Sequence, residues 1–77
     1  MRILNTMNIH LAIQQVIIEK SFTISDISKE SGLTRSYIYK VLSGQHSPTI
    51  YTLGRFADAL EIPLSQLIMV AEGESMM

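Results

Sequence analysis

The sequence predicts an all-α fold, a compact five-helix bundle, and three observations carry that prediction. Apolar residues recur at three- and four-residue steps in five successive segments, the spacing of a helix face. Start and stop residues punctuate those segments: Thr23, Thr34 and Thr49 precede apolar runs, Gly32 follows one, and Pro48 and Pro63 fall between them. No run has the two-residue alternation of a strand, and no repeat or low-complexity tract interrupts the series.

The 77 residues allow a single domain over 1–77 with one small core. Chains this short gain stability from staples or from pairing. Cys is absent, which removes a disulfide framework, a thiolate metal site and a cysteine nucleophile, and fits a reducing, cytoplasmic setting. The N-terminal segment is apolar, but Asn5, Thr6, Asn8, His10, Gln14 and Gln15 interrupt it. Neither a membrane span of roughly 20 apolar residues nor the unbroken core of a signal peptide remains. The formal net charge is −1, and its distribution is uneven. Residues 1–55 hold all six bases (Arg2, Lys20, Lys29, Arg35, Lys40, Arg55) against Glu19, Asp26 and Glu30, a local +3. Residues 56–77 hold Asp58, Glu61, Glu72 and Glu74 and no base, a local −4. One end can face phosphates while the other faces away.

The first helix is expected over residues 8–20, with Ile9, Ala12, Ile13, Val16 and Ile17 on one face. Leu4, Met7, Leu11 and Ile18 mark a second apolar stripe, although a helix in so small a domain needs one inward face. Either residues 2–7 fold back over that stripe or another chain covers it. Thr23 and Asp26 form a T-x-x-D capping box, so the second helix starts near Ile24; Ile27 faces the core and Gly32 ends the helix in a left-handed conformation. Thr34 caps the third helix. At 100° per residue, Ile38, Val41 and Leu42 fall on one side and Arg35, Ser36, Tyr39 and Lys40 span an arc of roughly 140° on the other. The first turn of this helix carries no acid, which leaves its N-terminus free to meet an anion.

Residues 43–47 form a polar loop, and Pro48 and Thr49 open a fourth helix with Ile50, Leu53, Phe56, Ala57 and Leu60 spaced for burial. Gly54 either lets a neighbouring backbone approach or is merely tolerated. Pro63 stops the fourth helix and can start the fifth, where Leu64, Leu67, Ile68 and Ala71 face inward and Met69 and Val70 outward. Residues 73–77 are expected to fray.

The segment from about 24 to 43, with its flanks, resembles the Cro and lambda-repressor-like helix-turn-helix family, also called XRE. Counted from Ile24, the apolar Ile27, small Ser28, Gly32 and apolar Leu33, Ile38 and Val41 match the family pattern. So do Ser43-Gly44, Pro48, the Leu53/Phe56/Ala57/Leu60 spacing, and Ile62 with Leu64 and Leu67, so that the likeness covers about residues 9–70. A small residue at 28 and a glycine at 32 let the two helices cross closely. The resemblance implies that the third helix lies in the major groove of double-stranded DNA. By position, Thr34, Arg35, Ser36, Tyr39 and Lys40 would read bases, with Arg35 donating twice to the O6 and N7 of guanine. Thr23, Ser25, Tyr37, Ser43, Gln45 and His46 would approach phosphates. The run Arg35-Ser36-Tyr37-Ile38 also looks like small restriction-modification controller proteins.

Four positions depart from the family. Ile24 stands where a phosphate-reaching Gln is usual, Gln14 and Ile17 where Arg is frequent, and Ser31 where an apolar residue is usual. With few bases per chain, strong binding would need two chains together. Ile62, Met69 and Val70 are the first expected dimer face, and Leu4, Leu11 and Ile18 the second. His10 and His46 are solitary, without a converging ligand cluster, and no nucleophile is paired with a base; no metal, cofactor, small-molecule ligand or catalysis is expected. The expected function is a sequence-specific transcriptional regulator, in the form of a dimeric repressor on a palindromic operator. The alternatives are an antitoxin or controller protein with a protein partner, and an interaction module that kept the fold and lost DNA binding.

Overall fold

Hydroxyl caps decide where three of the five helices begin. The computed structural model describes the backbone of residues 8–76 and the side chains of residues 8–73. The helices are α1 (Ile9–Lys20), α2 (Ile24–Ser31), α3 (Arg35–Leu42), α4 (Ile50–Ala59) and α5 (Leu64–Met76), and no strand occurs among the described residues. Thr23 Oγ1 accepts from the Asp26 N–H and Asp26 Oδ2 accepts from the Thr23 N–H, each at 3.0 Å, which completes the capping box at α2. Thr34 Oγ1 accepts from the Tyr37 N–H at 3.1 Å, and Thr49 Oγ1 from the Thr52 N–H at 3.2 Å.

Two helices stop without a glycine. Ser21 (φ 60°) follows α1 and Glu61 (φ 62°) lies just past α4, both in the left-handed region. The next N–H then turns back into the helix, Phe22 to the Ile17 carbonyl and Ile62 to the Ala57 carbonyl, each at 3.1 Å. α4 therefore ends ahead of Pro63, which serves the start of α5: its carbonyl accepts from the Gln66 and Leu67 N–H groups.

α1 lies against α3 and α5, α2 against α3 and α4, and α4 against α5. Between them sit Ala12, Ile13, Val16 and Ile17 of α1, Ile27 of α2, Ile38 and Val41 of α3, Leu53, Phe56 and Ala57 of α4, and Leu67 and Ala71 of α5. Phe56 is the largest of the fully buried side chains. Leu64 and Ile68 pack on this core half-buried.

Some expectations need correction. Ile62, placed at a dimer face, is only 8% exposed and belongs to the core, because the left-handed turn at Glu61 carries its side chain inward. Of the two readings of Gly54, the structure fits the tolerated glycine: a Cβ built there meets nothing within 4 Å. The helical backbone of α5 runs to Met76. Leu11 and Ile18 are exposed, while Leu4, Met7 and the fold-back of 2–7 lie outside the described residues.

Candidate nucleic-acid interface

The turn between α2 and α3 is fixed from inside and from behind. Gly32 has φ 77°, and its N–H closes α2 on the Ser28 carbonyl at 3.0 Å. Ser28 Oγ donates to the Leu33 carbonyl at 2.6 Å, and Ser31 Oγ accepts from the Leu33 N–H at 3.0 Å. Ser31, polar where the family is usually apolar, is thus buried with its hydroxyl engaged. From α4, Arg55 Nε donates to the Ser31 carbonyl at 2.8 Å and Nη1 to the Tyr51 hydroxyl at 3.0 Å. The guanidinium also lies 5.7 Å from the Tyr51 ring centroid. A Cβ on Gly32 would come within 2.6 Å of Arg55 Nη2, so this glycine serves both the turn and the clamp.

On this base α3 is anchored by one face. Ile38 and Val41 have no solvent exposure, while Thr34, Arg35, Ser36, Tyr39 and Lys40 are exposed together on the opposite side. No acid lies in the first turn of α3. Its far end is held by Gln14, whose Nε2 donates to the Leu42 carbonyl at 2.7 Å. The position where the family often has Arg therefore carries a structural amide.

The residues expected at phosphates fall into two groups. Thr23 and Ser25 stand at the start of α2, and Ser25 Oγ accepts from Arg35 Nη2 at 2.9 Å. Tyr37, Ser43, Gln45 and His46 gather at the other flank of α3, where the Tyr37 and His46 rings are 5.5 Å apart at a 39° tilt. There the Lys40 carbonyl accepts from the Ser43 hydroxyl and from the Gln45 and His46 N–H groups, which shapes the loop after α3. His10 is half-buried, with its ring against Gly44.

The Thr23 N–H, and secondarily the Thr23 hydroxyl, lower the pKa of the Asp26 carboxyl below its ordinary value, with a smaller pull from Lys29. Asp26 thus stays ionised while serving the cap. Of the expected dimer residues other than Ile62, Met69 is 68% exposed and Val70 is half-buried against the core. Leu11 and Ile18 flank a shallow hollow of about 260 Å³ shared with Gln14, Gln15 and Glu19. Among the described residues no group of His, Cys, Asp or Glu could hold a metal ion, and no helix is long and apolar enough to cross a membrane.

Sequence reasoning missed the clamp of Arg55 and Tyr51 and the tie from Gln14. The one signal for the clamp is that Arg55 is the only base after Lys40. A family model described as helix-turn-helix matches residues 13–67, which takes in the turn, both helices around it and α4. Among curated proteins and solved structures, none gives a significant match.

Proposed function

Because the chain belongs to the Cro/C1-type helix-turn-helix (XRE) family of DNA-binding regulators, we propose that it is a homodimeric transcriptional repressor reading a palindromic operator with α3. The observation that carries this reading is the division of α3 into a fully buried face, Ile38 and Val41, and an exposed polar face. On that exposed face Thr34, Arg35, Ser36, Tyr39 and Lys40 meet base edges, with Arg35 donating to a guanine. Thr23 and Ser25 on one flank, and Tyr37, Gln45 and His46 on the other, meet phosphates. Ser43 is the weakest of that set, because its N–H and hydroxyl are already given to the Tyr39 and Lys40 carbonyls.

The chain acts as one domain over 1–77, and two copies bring their third helices to half-sites about 34 Å apart. Met69 and Val70 of α5 are the first candidates for the dimer face, since the acidic end of the chain then lies away from the DNA. The test is selection of binding sites from random DNA by the purified protein and by Arg35→Ala, at two salt concentrations. An enriched palindrome that changes at one base position in the variant is the expected result. Weak, salt-sensitive binding without a consensus would reject sequence-specific reading.

A second reading draws support from the exposed Leu11 and Ile18 of α1. An antitoxin or controller protein of a two-gene module would present such a stripe to its partner. Co-purification of a second protein that is lost in Ile18→Asp would favour it.

A further inference from the structure

We propose that Ser25 is a positioning residue for Arg35, so that part of the base specificity of α3 is set from α2. This rests on the reading of Arg35 as a base contact. Arg35 is the first residue of α3 and Ser25 the second of α2, and the bond between Nη2 and Oγ joins the two helix starts at 2.9 Å. Both side chains are exposed. Among the described residues, Ser25 is the hydrogen-bond partner of the Arg35 side chain, and no carboxylate is paired with it.

The chemistry of the partner matters. An exposed arginine has many rotamers to lose when it docks, and a hydrogen bond already in place removes part of that loss. A carboxylate partner would orient the guanidinium but also neutralise it. A hydroxyl orients it and leaves the positive charge whole for a polyanion. The bond uses one of five N–H donors, and a bidentate pair to guanine needs only two of the other four.

Ser25 also keeps its own proton. While Oγ accepts from Arg35, the O–H can donate to a phosphate oxygen. A backbone contact at the start of α2 would then fix the orientation of the base-reading group on α3. Ile24, the neighbouring residue, has no polar side chain and packs half-buried against the core, so it cannot share this role. The bond is exposed in the free protein and gains strength where docking excludes water.

The experiment is binding-site selection with the full chain as wild type, Ser25→Ala, Ser25→Thr, Arg35→Ala and the double variant Ser25→Ala/Arg35→Ala. Ser25 is exposed and its side chain makes neither bond of the Thr23–Asp26 box, and thermal unfolding checks that each variant is folded. In Ser25→Ala, discrimination at the base position read by Arg35 is expected to fall about 3- to 10-fold, the range set by one hydrogen bond, with the salt slope unchanged. Ser25→Thr, which keeps the hydroxyl, restores it. Added to Arg35→Ala, Ser25→Ala changes nothing further at that position. A uniform loss across all sequences, with discrimination at the position read by Arg35 intact, would overturn the positioning role and leave Ser25 a backbone contact. A wild-type consensus with no Arg35-dependent position would instead overturn the base-contact reading, and this proposal with it.

Discussion

Gln14 and Leu42 join the first helix to the last residue of α3: the Gln14 side-chain amide donates to the Leu42 carbonyl oxygen across 2.7 Å in a partly buried setting. A carbonyl at a helix C-terminus has no intrahelical partner, so this amide satisfies a group that would otherwise depend on water. Gln14→Ala is expected to cost about 1–2 kcal/mol of stability. Urea unfolding checks it, as a lower midpoint with an unchanged slope.

Gly32→Ala combines two penalties. The left-handed conformation disfavours any Cβ by about 1–2 kcal/mol, and the new methyl collides with Arg55 Nη2 at 2.6 Å. The guanidinium must move and strain or release its bond to the Ser31 carbonyl. The expected total loss is about 1–3 kcal/mol. In an Arg55→Ala background the same substitution should cost less, which a double-mutant cycle by thermal unfolding measures.

The opposite change is expected to help at Glu61. This residue holds φ 62° in the turn that ends α4, a conformation glycine adopts without strain. Glu61→Gly should raise stability by up to about 1 kcal/mol, after the extra backbone freedom of the unfolded chain is set against the relief. A higher denaturation midpoint is the readout, and a lower one would mean that the glutamate side chain contributes more than the strain removes.

The capping box makes stability depend on acid pH. Folding lowers the Asp26 pKa below its ordinary 3.8, so the unfolded chain binds that proton more readily. The contribution of Asp26 is complete above the ordinary value and is lost as pH falls through the lowered one. Asp26→Asn keeps an acceptor and removes the titration. The difference in stability between wild type and Asp26→Asn, followed from pH 6 to pH 2, should therefore shrink at the acid end.

What could be read in the sequence was what is encoded locally. Thr23, Asp26, Gly32 and Thr34 act within three or four residues of themselves, and the structure gives each the expected geometry. The apolar spacing located Ile13, Ile38, Phe56 and Leu67 because helix periodicity alone decides which face they share. Ile62 was misplaced because its direction depends on a left-handed glutamate, a residue type that carries no turn signal. Gln14, Arg55 and Ser25 were invisible as ties because each bond crosses between helices, and neither partner carries a mark of the other. For Gln14 and Ser31 the departure from the family pattern was plain, but not that a hydrogen bond accompanies it.

The threonine caps have a kinetic consequence. Thr23, Thr34 and Thr49 each close a bond three residues away, so α2, α3 and α4 can nucleate before any tertiary contact exists. Chains dominated by such short-range contacts have low contact order and fold in microseconds to milliseconds. The ties from Gln14 to Leu42 and from Arg55 to Ser31 span 28 and 24 residues and can close only after the helices have docked. The seat of α3 is thus fixed by bonds that cannot precede tertiary docking.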